Sequence, residues 1–462
     1  MQLRRFVTPG LSINSYLISD EESRRGIVVD PTRQVENYIA QARKDGIEIT
    51  DIIETHVHAD YISGAVDLKA ALNGKPTIHC SGLGGKEWTP HYADHIVKER
   101  EEIQLGTVRL QALHTPGHTP EHIIWLVFNE QRSRTIPEMA FTGDLLFVGS
   151  VGRPDLMGEE LEKQLVQQLY RSLFGTIQAL PDFIQIFPGH GAGSLCGKEI
   201  STQDSSTIGY ERRCNPWLIP QDFKRWQYHL LENISSPPAY FQRMKRLNVT
   251  GLNRNNQLPS PPPLLQLEQI PGLLSTCVVV DIRNQEAFSS GHFKGSVNIP
   301  FGPSFITWAG IALAGDRDLI LVAGSTTEIP SVIQSLRLIG LDQIKGIFIA
   351  NESSFASGDL LSMMEAADLK THLSDYYVLD VRTPAEWNSG HIEGAHHIEL
   401  AQLPNSISAI PKDVPIVVTC RSGARASLAA SLLINAGYPR VQNLRGGMMA
   451  WGKCEPCKAT TH

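Results

Sequence analysis

The sequence predicts an α/β protein of about three domains. Its 462 residues exceed what a single hydrophobic core usually organises. Apolar runs typical of buried strands recur along the first half of the chain, and several are followed closely by glycine, histidine or aspartate. After a proline-rich stretch, one motif pattern occurs twice at a fixed spacing. These observations indicate one large domain followed by two smaller domains of similar length.

Composition and charge are ordinary for a globular protein. The apolar fraction is 42%, the charged fraction is 19% and the net charge is -7, which argues against a nucleic-acid partner. No window reaches membrane-spanning length, and residues 1–7 lead into no apolar core of a signal peptide, so we expect a cytoplasmic protein without a membrane partner. Seven scattered cysteines fit reduced thiols better than a disulfide framework.

The first candidate site follows an apolar run that ends at Ile53. The segment Thr55-His56-Val57-His58-Ala59-Asp60-Tyr61 places two histidines and an aspartate on one side of an extended chain. This segment alone leaves a purely structural role open. Further candidate ligands, His118, Asp144 and His190, each follow an apolar or β-rich run and lie beside a glycine that permits a sharp turn. We predict that these residues form one metal site.

Taken in this order, the motifs over about residues 1–230 closely resemble the metallo-β-lactamase superfamily. The resemblance implies an αββα sandwich, which we assign to residues 1–250. In the binuclear zinc hydrolases of the glyoxalase II type, the first motif ends in a histidine that helps to hold the second metal. Tyr61 occupies that place here, and a phenol is a poor substitute for imidazole on zinc. The second metal site is therefore weakened, although Asp60 and His190 remain.

The domain resembles the persulfide dioxygenases more than it resembles the hydrolases, on the motifs Thr142–Phe147 and Gly152–Leu156. That resemblance implies one non-haem Fe(II) per chain, held by two imidazoles and one carboxylate, with zinc able to substitute for iron. The implied ligands are His56, His118 and Asp144. The residues implied to support the site without binding the iron are His58, Asp60 and His190. The resemblance also places Arg153 near the thiol substrate, although a structural salt bridge is the alternative.

In that family, the iron binds the terminal sulfur of a low-molecular-weight thiol persulfide, activates O2 and yields sulfite and the thiol. Members that use glutathione tend to follow the histidine equivalent to His190 with Asp-Tyr. Residues 191–198 instead resemble the members that are fused to sulfurtransferase domains, so the thiol that carries the persulfide stays open. Cys196, six residues beyond His190, is either a sulfur relay near the metal or a small buried residue.

Residues 251–265 are rich in proline and predict a stiff linker. Beyond it, Asp-x-Arg followed by Gly-His-x-x-Gly begins at Asp281 and again at Asp380, 99 residues later. Each copy shows the strand and helix alternation of a parallel α/β sheet. Both copies resemble the rhodanese fold, which we assign to residues 266–360 and 361–462.

The second copy carries a candidate nucleophile, Cys420, between a strand and the N-terminus of a helix. Backbone N–H groups, the helix dipole and two nearby arginines should lower the pKa of this thiol and favour transfer of sulfane sulfur. The loop is typical of rhodaneses, and its residues are implied to bind the substrate: Arg421, Ser422, Gly423, Ala424 and Arg425. Phosphatases of related fold have a longer Cys-x5-Arg loop, so sulfur transfer is favoured.

The first copy is predicted to be silent, because Gly324 stands opposite Cys420. The pair Cys454 and Cys457 lies on the tail, where we expect exposed residues; a redox-active or metal-binding role is the alternative.

We therefore predict a persulfide dioxygenase fused to an inactive and an active rhodanese. The active rhodanese passes sulfur to sulfite, which gives thiosulfate, or runs in reverse to supply the first site, and its direction stays open. Its expected partners are a thiol persulfide, O2 and sulfite or thiosulfate, and we expect a homo-oligomer. One alternative is a binuclear zinc thioester hydrolase with an accessory sulfurtransferase, which metal content would distinguish. Another is a sulfide-stress scaffold protein, which the complete Cys420 loop disfavours.

Overall fold

The computed structural model describes residues 1–156, 158–232, 234–252, 261–313, 317–351, 354–355 and 358–453. Contacts divide the chain into two compact units: unit 1 is Met1–Leu258 with Arg337–Gly340, and unit 2 is Pro259–Leu336 with Leu341–His462. Most of the predicted linker, as well as Cys454 and Cys457, lies outside the described residues. Within those residues, no helix combines the length and the apolar character that crossing a membrane requires.

Unit 1 contains two six-stranded sheets. The first takes β1 to β6 in chain order: Gln2–Thr8, Ile13–Asp20, Arg25–Val29, Glu48–Ile53, Thr77–Ser81 and His95–Val97. The second takes β7 to β12 in chain order: Glu102–Leu105, Val108–His114, Ile123–Asn129, Met139–Gly143, Gln185–Pro188 and Ser206–Thr207. Helices α1 to α6 are Val35–Asp45, Ala65–Ala71, Glu159–Arg171, Ile208–Cys214, Phe223–Leu231 and Tyr240–Thr250.

Apolar side chains account for the layers of unit 1. Residues from both sheets fill the space between them, including Ile18, Val29, Trp125 and Phe141. The outer face of the first sheet packs against α1 and α2, and the outer face of the second packs against α3 and α5. A sheet covered on both faces needs strands that are apolar almost throughout, and every residue of β9 is buried. The predicted αββα sandwich is confirmed.

The predicted ligands follow the ends of strands. β4, β8, β10 and β11 each end shortly before one of them: His56, His118, Asp144 and His190, respectively. β10 pairs in parallel with β11, so the last two ligands leave the second sheet at the same edge. Loops at this edge are free of the demands of sheet packing and can direct polar side chains inward.

Unit 2 contains two parallel sheets. The first has the order β14-β13-β15-β16, with β13 to β16 at Cys277–Asp281, Val297–Asn298, Asp318–Ala323 and Ile344–Ile349. The second has the order β17-β21-β20-β18-β19, with β17 to β21 at Ser362–Met364, Tyr377–Asp380, His396–His397, Ile416–Thr419 and Val441–Leu444. Helices α7 to α14 are Gln285–Ser289, Phe305–Ala312, Ile329–Leu338, Ala366–Thr371, Pro384–Asn388, Leu403–Ser406, Ala424–Asn435 and Gly447–Lys453.

The two sheets of unit 2 repeat one pattern. Val280 pairs with Val297 in the first copy, and Leu379 pairs with His396 at the corresponding place in the second. The arginine of each Asp-x-Arg motif donates hydrogen bonds to its own aspartate. This common strand order agrees with the predicted repeat, while the limits 266–360 and 361–462 stay a prediction.

One detail of the repeat differs from the prediction. Relative to the aspartate of each motif, Val322 and Thr419 occupy equivalent ladder positions, which makes Ala323 the counterpart of Cys420. The prediction that Gly324 stands there is wrong by one residue, because the segments connecting the paired strands differ in length between the copies. The methyl group of Ala323 offers no nucleophile either.

The two copies share a buried polar contact at Asn298. Its side-chain amide donates to the carbonyl of Asp281 at 3.0 Å, and its Oδ1 accepts from the Ser427 hydroxyl at 2.6 Å. Its backbone N–H donates to the Ser431 hydroxyl at 3.2 Å. The two serines lie on α13, a helix buried on most of its surface. The first copy thus covers the helix that follows the Cys420 loop.

Candidate functional site

Three predicted ligands meet in the interior of unit 1. The Nε2 atoms of His56 and His118 lie 3.7 Å and 3.5 Å from Oδ2 of Asp144, and all three side chains are buried. Neither Nε2 atom has a hydrogen-bond partner among the described residues. Buried polar atoms are nearly always paired, so two orphaned imidazole nitrogens beside a carboxylate suit a metal cation.

The other nitrogen of each imidazole is held by the protein. Nδ1 of His118 donates to the carbonyl of Arg153 at 2.9 Å. Nδ1 of His56 lies 2.9 Å from the hydroxyl of Thr55, which itself donates to Asp30 at 2.8 Å and therefore accepts from the imidazole. Both contacts favour the tautomer whose Nε2 lone pair is free to bind a metal.

His122 holds the aspartate in place. Its Nε2 accepts the backbone N–H of Asp144 at 3.1 Å, and its ring stacks on His56 with centroids 5.2 Å apart. Burial, together with the neighbouring imidazoles, lowers the pKa of His122 to about 3, so the ring stays a neutral acceptor. Gly143 has a φ of 48°, and a Cβ there would lie 2.6 Å from Nε2 of His122. His122 was missing from the predicted site residues, and its place directly before β9 was the sequence signal for its role.

His190 joins two carboxylates. Its Nδ1 lies 2.8 Å from Oδ1 of Asp144, and its Nε2 lies 2.9 Å from Oδ2 of Asp60. Burial opposes a charge on the ring, but the two carboxylates raise the pKa of His190 to about 10. Burial likewise opposes ionisation of Asp144, yet the surrounding imidazoles hold its pKa well below the ordinary value. Asp60 and His190 thus lie directly beside the predicted ligand group.

His58 belongs to a different buried group. Its Nε2 lies 3.0 Å from Oε2 of Glu54, 3.0 Å from the hydroxyl of Tyr61 and 3.4 Å from Oδ1 of Asp30. Burial disfavours its charge, but hydrogen bonds to the two carboxylates raise the pKa of His58 well above the ordinary value. Glu54 and Asp30 were missing from the prediction, and their sequence signal was an acidic residue directly after each of two buried strands.

Arg153 is buried within the protein. Its Nε and Nη2 atoms lie 2.7 Å and 2.5 Å from the carboxylate of Asp155, and Nη2 donates to the carbonyl of Ser235 at 2.7 Å. The structural salt bridge considered as an alternative is therefore present. Substrate binding by Arg153 stays a prediction, and the contact seen is that of its carbonyl with His118.

Cys196 lies beside the site, as its nearness to His190 in the sequence suggested. Its sulfur, the imidazole and the carboxylate of Asp60 offer ligand atoms within 4.8 Å of one another. Burial raises the pKa of the Cys196 thiol well above the ordinary value, and the neighbouring carboxylates add to the effect. Its role as a sulfur relay stays a prediction.

The Cys420 loop is formed within one short stretch of unit 2. The backbone N–H of Gly423 donates to the Cys420 sulfur at 3.2 Å, and Gly423 has a φ of 103° at the start of α13. The N–H of Met448 donates to the Cys420 carbonyl at 2.8 Å. Gly447 passes so close that a Cβ there would lie 2.2 Å from that carbonyl oxygen. A nest of this kind suits a thiolate or a persulfide anion.

The remaining predicted loop residues divide into two sets. Arg421 and Ser422 are exposed. Arg425 makes a bidentate ion pair with Glu386, with both N–O distances 2.7 Å. Burial would raise the pKa of Glu386, but this ion pair holds it at about 2. Substrate binding by the loop residues, Ala424 included, stays a prediction.

Comparisons with known proteins agree with this arrangement. The family model of the metallo-beta-lactamase superfamily matches residues 8–190, and that of the rhodanese-like domain matches residues 359–454. Mouse persulfide dioxygenase ETHE1, mitochondrial, is 32% identical over 217 residues, which are 47% of this chain and 75% of that protein. A Schizosaccharomyces pombe protein named a probable hydroxyacylglutathione hydrolase is 28% identical over 262 residues, 51% of this chain and 93% of that protein.

A solved structure is also similar. The metallo-beta-lactamase from Staphylococcus aureus subsp. aureus COL is 33% identical, with a TM-score of 0.67 over 76% of this chain and 99% of that one. The chain therefore belongs to the metallo-β-lactamase superfamily, as a homologue of the persulfide dioxygenases that carries a C-terminal rhodanese-like domain.

Proposed function

We propose that this protein is a non-haem iron persulfide dioxygenase coupled to a rhodanese. The dioxygenase reaction converts a low-molecular-weight thiol persulfide, O2 and water into the thiol, sulfite and two protons. The rhodanese then passes a sulfane sulfur from Cys420 to sulfite, which gives thiosulfate.

The observation that carries the proposal is the buried group of His56, His118 and Asp144, with both Nε2 atoms unpaired among the described residues. Two neutral imidazoles and one carboxylate are the donor set of non-haem Fe(II) oxygenases. The mouse relative's name supports the same activity.

The chain's own residues prepare this site. The carbonyl of Arg153 and the hydroxyl of Thr55 fix the two imidazoles, and His122 fixes the backbone of Asp144. Burial of the group excludes water that would compete with the persulfide. Fe(II) bound by His56, His118 and Asp144 would hold O2 and the persulfide sulfur together, and the four electrons that O2 accepts would come from the outer sulfur, which is oxidised to sulfite.

Sulfur transfer uses the thiolate of Cys420 as its nucleophile and needs no metal. The thiolate attacks the outer sulfur of a donor, forms a cysteine persulfide and releases the donor as its anion. Sulfite then takes the outer sulfur, which regenerates the thiolate and forms thiosulfate. The N–H of Gly423 and the positive end of α13 stabilise the anion in each state.

The test of the first reaction is O2 uptake by protein reconstituted anaerobically with Fe(II), using glutathione persulfide as the probe. Wild type should consume O2 and form sulfur oxyanions, and Asp144→Asn should lose the activity. Asp51→Asn is the matched control, because Asp51 is a buried aspartate paired with His79 at 2.9 Å outside the proposed site. Equal loss in both variants, or no uptake by iron-loaded wild type, would contradict the proposal.

A zinc thioester hydrolase is the second candidate, favoured by the name of the yeast relative. Hydrolysis of S-lactoylglutathione by the zinc-loaded protein, without O2 uptake by the iron-loaded protein, would make it the better account.

A further inference from the structure

The loop that carries His56 is buried along its whole length. It joins β4, which ends at Ile53, to α2, which begins at Ala65, and every residue from 54 to 64 is buried. The loop forms no strand, so its backbone N–H and C=O groups need other partners, and a group left unpaired in a dry interior is costly. The polar side chains that meet these groups therefore fix the path of the loop.

Two of these side chains hold the residues on either side of His56. The carboxylate of Asp30 accepts the N–H of Thr55 at 2.7 Å. The carboxylate of Glu121 accepts the N–H of Val57 at 2.6 Å.

The third side chain is that of Asn248, on α6. Its amide nitrogen donates to the carbonyls of His58 and Tyr61, both at 2.7 Å, and its Oδ1 accepts the N–H of Ser63 at 2.9 Å. Asn248 is 2% exposed, so water cannot replace it. The amide uses both of its donors and its acceptor on this one loop.

The helix that carries Asn248 lies beyond residues 8–190, the part of the chain that matches the superfamily model. The next residue on α6, Val249, belongs to one apolar cluster with Val57 and Trp88. The helix therefore holds the loop through polar and apolar contacts side by side.

We propose that Asn248 is a positioning residue of the metal site: by holding residues 58–63, it fixes the backbone that presents His56 to the metal. The inference rests on the proposed function only in taking His56, His118 and Asp144 as the metal ligands. Loss of a supporting hydrogen bond of this kind typically weakens metal binding by about 10- to 100-fold.

Cobalt(II) is the probe, because its visible absorption bands report the geometry of its ligands. Full-length protein freed of metal with a chelator is titrated with Co(II), and the bands that His118→Ala lacks are assigned to the proposed site. Asn248→Ala removes all three hydrogen bonds. Asn248→Asp keeps the size and the acceptor but sets an oxygen against two carbonyls. Both variants should bind Co(II) about 10- to 100-fold more weakly than wild type, with shifted bands.

Asn215→Ala is the matched control. Asn215 is also buried in unit 1, where its amide donates to the carbonyl of Ser150 at 3.1 Å and its Oδ1 accepts the N–H of Trp217 at 3.0 Å. It makes no contact of this kind with the His56 loop. The control should bind Co(II) with the affinity and bands of wild type, even where its unfolding temperature falls.

Wild-type affinity and bands in Asn248→Asp would overturn the positioning role, and so would equal weakening in Asn215→Ala. Should Asn248→Ala fail to fold, Asn248→Asp, which preserves the volume, decides. Failure of this role and failure of the proposed function are distinguishable. Unchanged bands in folded Asn248 variants reject only the positioning role, whereas iron-loaded wild type without O2 uptake rejects only the dioxygenase. Wild type without bands that depend on His118 would contradict both.

Discussion

The two proposed reaction centres are assembled in opposite ways. The proposed iron ligands are far apart in the sequence and meet only because several strand ends of the αββα sandwich converge. The Cys420 centre is one short loop between β20 and α13, completed by Gly447 and Met448. A dispersed centre depends on the packing of a whole unit, whereas a contiguous loop depends mainly on local backbone geometry. Substitutions should therefore separate the two activities.

The largest expected effect is loss of iron from His118→Ala. Two remaining ligands hold a metal poorly, so bound iron should fall to about a tenth of the wild-type content or less. Transfer of sulfur from thiosulfate to cyanide by Cys420 should persist, because the variant leaves the loop intact. Metal analysis and the thiocyanate assay on one preparation check both statements. His79→Ala, which removes a buried histidine of the Asp51 pair, is the control and should keep its iron.

A smaller effect is expected when the contact that the first rhodanese-like copy makes with α13 is removed, and it concerns the stability of the second copy. Asn298→Ala leaves the hydroxyl of Ser427 without its acceptor and removes a contact of α13, which should cost about 1–3 kcal/mol. Cys420 should then become accessible to pulse alkylation at a lower urea concentration than in wild type, and mass spectrometry gives the midpoint of this transition. Asn388→Ala, at an exposed position, should leave the midpoint unchanged. Identical midpoints for both variants would show that the first copy does not support the second.

The smallest effect concerns the pair of Glu386 and Arg425. The pair holds the pKa of Glu386 at about 2, below its ordinary value of 4.5, so its stabilisation is complete above about pH 4.5 and is lost as the pH falls through about 2. The unfolding temperature of wild type should be higher than that of Glu386→Gln. The difference should be constant near neutral pH and should become smaller in acid. A difference that does not change with pH would contradict this role of the charge.

Much of this molecule was predictable from its sequence, for physical reasons that differ by region. The sandwich, the convergence of His56, His118 and Asp144, and the repeated sheet pattern of unit 2 follow from apolar periodicity and motifs within short segments. Partners across the fold were not predictable. His122 reaches Asp144 only in the folded chain, and Asp30 meets Thr55 only through the pairing of β3 with β4.

Strand register was the other feature that the sequence did not predict. Which residue of the first copy stands opposite Cys420 depends on strand pairing, and segments of unequal length hide it from a count along the sequence. Arg153 and Arg425 show a related limit, because the sequence marks a cation but not the carboxylate that pairs with it, here Asp155 and Glu386.

The two proposed activities act in sequence in one protein. The most direct measurement gives iron-loaded wild type and Cys420→Ser the same excess of glutathione persulfide, and records O2 uptake and both sulfur products together. We predict equal O2 uptake, with thiosulfate as the main product of wild type and sulfite as the main product of the variant. Thiosulfate in unchanged proportion from Cys420→Ser, or loss of its O2 uptake, would contradict the coupled mechanism.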